Sequence, residues 1–145
     1  MCIAALLIQA VTTPAIADEI SVAVASNFRD AVRGISSHFE RLSGHKVILV
    51  FGSTGKHYAQ IKNGAPFEVY FAADALRPKL LEAEGVAQPG SRFTYAIGKL
   101  VLWSPNGNAV DPGGNVLEQG DYRHLAIANP RLAPYGKAAQ EVLQR

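Results

Sequence analysis

Three short polar segments lie where a predicted strand is followed by a predicted helix, and each could bind an anion. They are Ala25-Ser26-Asn27, Phe51-Gly52-Ser53-Thr54-Gly55 and Ala133-Pro134-Tyr135-Gly136. A helix N-terminus offers backbone N–H groups that have no intrahelical partner, together with the positive end of the helix dipole. Helix capping alone explains any one such segment. Three of them in one α/β arrangement favour a shared anion site.

The segment Gly52-Ser53-Thr54-Gly55-Lys56 invites comparison with a nucleotide phosphate-binding loop. That motif needs four residues between its glycines and a Ser or Thr after the lysine. Here two residues separate the glycines, and His57 follows the lysine. The pattern therefore does not predict a nucleotide site, and we expect Lys56 to steer anions toward the protein rather than to contact them.

A hydrolase triad of Ser53, His57 and Asp74 can also be written from these residues. Ser53 lacks the G-x-S-x-G elbow that exposes a nucleophile, and His57 lies on the same predicted helix. Asp74 is better explained as the N-cap of a helix starting at Ala75. The sequence therefore predicts no catalytic residues. The remaining histidines are interpreted as surface or packing residues: His38, His45 and His124.

The elements that must position these segments alternate between strand and helix. Apolar runs and period-two alternation predict strands at 20–24, 47–51 and 69–72. Helical spacing of apolar residues predicts helices at 28–42, closed by Ser43-Gly44, at 54–62, closed by Asn63-Gly64, and from 76 to the stop at Gly85. Ser26 or Asn27 is the predicted N-cap of the first helix. Three successive βα units indicate an α/β protein with a parallel sheet.

The rest of the chain gives a less complete pattern. Residues 95–104 and 125–128 are predicted strands, residues 105–120 a loop, and a helix is predicted from Pro134 to Arg145. We expect residues 18–95 to form a first α/β lobe, and residues 96–145 a hinge crossover and part of a second. Two strands and one helix cannot cover a sheet, so the expectation is a fragment with an incomplete second lobe.

Residues 1–17 have the composition of a secretory signal peptide. They are uncharged and apolar, and Ala15-Ile16-Ala17 forms a small-x-small cleavage pattern before Asp18. The basic n-region is missing, which suggests a start codon assigned too late. A buried N-terminal helix is the alternative, although Pro14 would break it. We expect export to the periplasm and cleavage after Ala17, which would remove Cys2.

Composition excludes several classes of protein. The formal net charge is +2, from 14 basic and 12 acidic residues, and no run of Lys or Arg suggests a nucleic-acid partner. No stretch of about 18 apolar residues predicts a membrane-spanning helix. One cysteine and four isolated histidines give no metal-ligand spacing. These features predict a soluble protein that works without thiols and without an obvious protein-bound metal.

Four co-linear segments of this sequence resemble periplasmic molybdate-binding proteins, the substrate-binding components of molybdate ABC importers. The segments are VAVASNFRDAV, FGSTGKHYAQIKNGAPFEVYFAAD, YAIGKLVLWS and IANPRLAPYGKAAQEVL. The resemblance implies a periplasmic binding protein-like (type II) fold, in which two α/β lobes joined by hinge strands enclose a tetrahedral oxyanion. By this resemblance the second lobe is incomplete here.

The resemblance also implies which residues bind the anion. The first hydroxyl or amide position falls on Asn27, with Ser26 beside it, and the second falls on Thr54, with Ser53 adjacent. The main-chain amide of the second lobe falls on Tyr135. Asn27 and Tyr135 stand where Ser and Ala are commonest in the family. Further contacts of the family would lie beyond Arg145, so residues 18–145 alone are expected to bind molybdate weakly or not at all and to fold poorly.

The resemblance thus implies a non-enzymatic, extracytoplasmic protein that captures molybdate or tungstate for a membrane permease. It would act as a monomer, without a cofactor and without nucleic acid. Two alternatives stay open. One is a binding protein for sulfate or another small solute, and the other is an enzyme or regulatory effector domain on the same fold. The sequence does not rank molybdate against tungstate.

Overall fold

Three parallel strands form one sheet in the order β2-β1-β3 in the computed structural model, which describes residues 18–120 and 122–145. The strands are β1 (Glu19–Ala25), β2 (Lys46–Gly52) and β3 (Val69–Phe71). The middle strand, β1, pairs along its whole length with β2, so that Ala25 lies beside Gly52. The carboxyl ends of β1 and β2 therefore meet at one edge of the sheet.

Five α-helices occur among the described residues. They are α1 (Arg29–Ser43), α2 (Thr54–Lys62), α3 (Leu76–Ala83), α4 (Val116–Gln119) and α5 (Pro134–Leu143). The three strands and the helices α1, α2 and α3 confirm the predicted βα units, with bounds that shift by one or two residues. The helix predicted from Pro134 to Arg145 is also present, and it ends at Leu143.

The core lies between the middle strand and α1. Val22 and Val24 of β1 pack with Val32 of α1, and partly buried apolar side chains from the neighbouring strands surround them. Burial of this kind is worth about 1.5–3 kcal/mol for each large apolar side chain. The predicted apolar face of α1 is only partly used, because Ile35 and Leu42 on that face remain exposed.

Both ends of α1 show how local chemistry sets its bounds. The helix stops at Gly44, which adopts a left-handed conformation with φ 75° and donates its N–H to Glu40 O at 2.9 Å, as predicted. The prediction that Ser26 or Asn27 caps the helix is wrong. A 3-10 turn, Ser26–Phe28, precedes α1. The N-cap residue of α1 is Phe28, which provides no side-chain cap. The polar residues of this turn are therefore free for other contacts.

The strands predicted at 95–104 and 125–128 are not formed in the described part of the chain. A strand is defined by ladder hydrogen bonds to a neighbour, and no described segment pairs with either run. The first run is nevertheless anchored at its start. Tyr95 donates its hydroxyl proton to Ala72 O at 2.7 Å, and its ring contacts those of Phe28 and Phe71.

Residues 105–120 form the predicted loop, except for the one-turn helix α4, which the sequence analysis missed. The Asp111 carboxylate starts that turn by accepting hydrogen bonds from the backbone N–H groups of Val116, Asn115 and Gly113 at 2.9–3.1 Å. These backbone donors, Val116 first among them, lower the pKa of Asp111 below its usual value. The loop is thus ordered by one side chain.

The predicted signal peptide, with its cleavage after Ala17, lies outside the described residues. Among the residues that are described, no helix combines the length and the apolar character needed to cross a bilayer.

Candidate functional site

The three polar segments meet around one cavity of about 180 Å³. The volume exceeds that of a few water molecules, at about 30 Å³ each, and falls below the ~300–1,000 Å³ of pockets for drug-sized ligands. All five residues predicted to bind the ligand line it. The full lining is Ala25, Ser26, Asn27, Gly52, Ser53, Thr54, Ala73, Ala128, Ala133, Pro134 and Tyr135.

The first segment follows β1. Ser26 donates its hydroxyl proton to Gly52 O at 3.1 Å, which ties the end of β1 to the end of β2. Asn27 is exposed and lies in the 3-10 turn between β1 and α1. Its side-chain amide, with two donor hydrogens, borders the cavity. The segment thus provides one structural hydroxyl and one available amide.

The second segment starts α2 and holds the most buried of the predicted ligands. Ser53 is the N-cap, since its Oγ accepts a hydrogen bond from Lys56 N at 3.3 Å. Thr54 is 1% exposed, and its Oγ1 accepts a hydrogen bond from Ala73 N at 3.0 Å. A hydroxyl that accepts through its oxygen keeps its proton for donation. Thr54 can therefore donate to a ligand in the cavity.

A tyrosine of β3, Tyr70, holds the first turn of α2 in place. The Tyr70 hydroxyl donates to Thr54 O at 2.7 Å. Burial, with a smaller contribution from the Asp74 charge, raises the pKa of Tyr70 far above its usual value. The phenol therefore stays protonated and acts as a permanent donor. Sequence analysis missed this residue because its contact crosses 16 positions of the chain.

The third segment starts α5. Pro134 occupies the first turn, where a missing N–H costs nothing, and the N-cap residue Ala133 has no side chain that could cap the helix. The carbonyl of Ala133 accepts from Gly136 N and Lys137 N. Among the described residues, the backbone N–H of Tyr135 has no acceptor. This N–H is available to a ligand, together with the positive end of the α5 dipole.

Backbone contacts join the second and third segments. Gly55 donates its N–H to Leu132 O at 2.9 Å, so the start of α2 is bonded directly to the chain before α5. A side chain at Gly55 would be crowded, since a Cβ there would lie 3.0 Å from that same oxygen. The close approach of the two backbones explains why glycine occupies this position.

The cavity lining contains no Asp, Glu, His, Lys or Arg side chain. Lys56 is exposed in the first turn of α2 and does not line the cavity. A larger cavity of about 760 Å³ shares Asn27, Ala73 and Tyr135 with the smaller one. Its charged lining residues are Glu68, Asp74, Glu82 and Arg92, so three carboxylates face one guanidinium there. Carboxylates would repel an anion. The smaller cavity is therefore the candidate anion site.

The side chains of the hypothetical triad are committed to other partners. Ser53 caps α2. Asp74 forms an ion pair with Arg77 and accepts from the Arg77 backbone N–H at 2.9 Å. It thus binds the first turn of α3, although that helix starts at Leu76 and its N-cap residue is Ala75 rather than the predicted Asp74. The Asp74 and His57 side chains therefore form no relay to Ser53. The described residues also contain no group of three His, Cys, Asp or Glu side chains that could hold a metal ion.

His57 is buried beneath the site, a role that the sequence analysis did not foresee. It is 1% exposed, and its Nε2 lies 3.2 Å from Val24 O on the middle strand. A carbonyl only accepts, so Nε2 carries a proton and donates it. Nδ1 lies 3.1 Å from Gln60 Oε1. A Cβ on Gly52 would lie 2.8 Å from His57 Nε2, so the imidazole packs directly against the turn that lines the cavity.

Two known proteins are similar to this chain in sequence. The chain is 56% identical over 129 residues to the molybdate-binding protein ModA of Azotobacter vinelandii and 50% identical over 139 residues to ModA of Rhodobacter capsulatus. These alignments cover 89% and 96% of this chain but 51% and 55% of the relatives. The chain thus spans about half the length of the curated relatives it matches.

A solved structure gives the same result. The periplasmic molybdate-binding protein of Azotobacter vinelandii superposes with a TM-score of 0.83 at 49% identity, over 86% of this chain and 54% of that one. This confirms the predicted α/β, periplasmic binding protein-like (type II) fold and the resemblance stated above. The relatives are named as binding proteins, which agrees with the prediction of a protein that is not an enzyme and has no cofactor.

The family described as "Bacterial extracellular solute-binding protein" matches this sequence over residues 20–145, which is most of the chain. The match, the fold and the polar cavity at the strand ends lead to one conclusion: the chain belongs to the bacterial extracellular solute-binding protein family.

Proposed function

We propose that this protein captures molybdate or tungstate outside the cytoplasm for import by an ABC transporter. The observation that carries the proposal is the cavity at the three helix starts, whose lining offers hydrogen-bond donors and contains neither a carboxylate nor a basic side chain. The names of the related proteins give the same ligand. Asn27, Thr54 and the Tyr135 amide would contact the oxyanion, with Ser26 and Ser53 beside them.

The chemistry of the ligand fits this donor set. Molybdate and tungstate are fully deprotonated dianions at neutral pH, so their oxygens only accept hydrogen bonds. Hydroxyl, amide and backbone N–H groups all donate. A hydrogen bond to a charged group contributes roughly 1.5–3 kcal/mol net, so several of them can hold a desolvated dianion without a counter-charge. A protonated phosphate would be favoured by a carboxylate that accepts the proton of the ligand, and the lining contains no carboxylate.

The proposal extends to organisation and partners. Residues 18–95 would form one lobe and residues 96–145 the crossover and part of a second, an arrangement supported by the anchored Tyr95 at the start of the crossover. The partner would be the membrane permease of the transporter, and the protein would act as a periplasmic monomer after cleavage behind Ala17. A net charge of +2 gives no support for nucleic-acid binding.

Calorimetric titration of the purified protein tests the proposal directly. Molybdate and tungstate should bind at one site in preference to sulfate and phosphate, with titrant concentrations extending into the millimolar range. Sulfate is also an acceptor-only dianion, so its rejection would reflect its smaller size. Binding of phosphate as tight as that of molybdate, or no heat from either metal oxyanion, would contradict the proposed function.

Replacing Tyr135 by phenylalanine should leave the molybdate affinity nearly unchanged. The proposed donor is the Tyr135 backbone N–H, which the substitution keeps. The Tyr135 hydroxyl packs against Gly98, so closely that a Cβ added to Gly98 would collide with it. The hydroxyl is not one of the proposed donors. The same titration on the Tyr135→Phe variant checks this. A loss of tenfold or more would instead make the phenol part of the site.

A further inference from the structure

Arg77 joins two parts of the chain that carry different donors of the site. Its Nη1 pairs with Asp74 Oδ2, and its Nη2 donates to Arg131 O at 3.3 Å. Both side chains of the pair are about one-fifth exposed. One guanidinium therefore spans from the start of α3 to the segment that leads into α5.

The Arg77 contact lies next to the backbone bond between Gly55 and Leu132. A Cβ placed on Gly55 would be 3.2 Å from Arg77 Nη2 and 3.0 Å from Leu132 O, so the three groups are packed together. Gly55 directly follows Thr54, and Leu132 precedes Tyr135 by three residues. This junction therefore lies immediately behind two of the proposed donors.

We propose that Arg77 is a positioning residue for oxyanion binding. Asp74 orients the guanidinium, which holds the carbonyl end of residues 131–132 against the first turn of α2. The Thr54 hydroxyl and the Tyr135 amide are thereby kept at the separation that one tetrahedral anion requires. This inference rests on the proposed function, and it adds a residue that does not itself line the cavity.

The chemistry of arginine suits this task better than that of lysine. A guanidinium presents a planar fork of donors, so one side chain can bind a carboxylate and a carbonyl in fixed directions. A lysine ammonium is a point charge on a flexible stem. Asp74 neutralises the Arg77 charge at close range, which argues against Arg77 acting as a counter-charge for the ligand. Arg77 would thus act by fixing the position of residues 131–132, rather than by adding a positive charge to the site.

Three variants separate these roles. Arg77→Met removes the fork and the charge, and Arg77→Lys removes the fork but keeps the charge. Lys62→Met is the control, because Lys62 also forms an ion pair, with Glu84 at 3.0 Å, that ties α2 to the end of α3. This pair is more exposed than that of Arg77 and lies away from the junction. Circular dichroism checks that each variant is folded.

Stopped-flow binding kinetics with molybdate give the first readout. Both Arg77 variants should dissociate roughly tenfold faster, as expected for loss of one charge-assisted hydrogen bond, with little change in association rate. Lys62→Met should match the wild type. An Arg77→Lys variant with wild-type dissociation would overturn the inference, since charge alone would then suffice. A change confined to association would do the same, because it would indicate steering.

Hydrogen exchange without ligand gives a second, independent readout. The Gly55 amide donates to Leu132 O. Its exchange rate should rise in both Arg77 variants and stay unchanged in Lys62→Met. Faster exchange combined with no molybdate binding by the wild type would support the positioning role and contradict the proposed function. Normal Gly55 exchange in the Arg77 variants would overturn the positioning role whatever the protein binds.

Discussion

Replacing Gly136 by alanine should weaken molybdate binding roughly 10- to 100-fold. Gly136 lies in the first turn of α5 and packs against the backbone of residues 128–129. An added Cβ would overlap the Ala128 carbonyl oxygen and lie 2.6 Å from the carbon of that carbonyl. Backbone cannot rotate aside as a side chain can, so the start of α5 must move. The Tyr135 N–H moves with it, and one donor of about 1.5–3 kcal/mol is lost.

Gly34→Ala is the matched control for this change. Gly34 lies within α1, and nothing stands within 4 Å of the Cβ that alanine would add. Alanine there should stabilise the protein by up to about 1 kcal/mol and leave affinity unchanged. Calorimetric titration and urea unfolding of both variants provide the comparison. Wild-type affinity in Gly136→Ala would mean that the α5 amide does not contact the ligand.

Thr54→Val should cost both affinity and stability. Valine has nearly the shape of threonine but no hydroxyl, so the cavity loses a donor worth about 1–3 kcal/mol, or roughly 5- to 150-fold in affinity. The Ala73 N–H, now bonded to Thr54 Oγ1 at 3.0 Å, loses that partner in a partly buried position. That lost bond should lower the free energy of unfolding by about 1–3 kcal/mol.

Two further variants separate the effects of Thr54→Val. Thr54→Ser keeps the hydroxyl and should restore most of the affinity and the bond to Ala73 N. Thr94→Val makes the same chemical change at an exposed residue outside the smaller cavity, and should affect neither quantity. The titrations are made at a temperature well below the thermal unfolding midpoint of each variant. If Thr54→Val binds like the wild type, Thr54 is not a ligand residue.

The first part of the fold could be predicted because its signals are local. Gly44 at the end of α1 and Asn63-Gly64 after α2 stop those helices where the sequence predicts. The donor segments were also predictable, since polar residues at strand ends are visible as residue types. The convergence of the first two follows from the geometry of parallel strands, whose carboxyl ends lie at one edge. The third segment follows no strand in the structure, and it reaches the others through the Gly55–Leu132 backbone bond, which the sequence does not reveal.

The errors concern contacts between distant residues. Residues 95–104 have the apolar composition of a strand, but a strand also needs a partner, and composition does not provide one. Ser26 has the residue type of an N-cap, yet its hydroxyl bonds Gly52 O, 26 positions away. His57 and Arg77 reach backbone carbonyls 33 and 54 positions away. No periodicity within a single element encodes such pairs.

The imidazole beneath the cavity also limits how the site can evolve. His57 is held at Nε2 by Val24 O, and it leaves no space for a Cβ on Gly52. Gly52 is thus constrained by a neighbour in α2. A larger residue at position 52 becomes acceptable only after a smaller one has replaced His57. The order of the two substitutions is therefore fixed, since position 57 can change first and position 52 cannot.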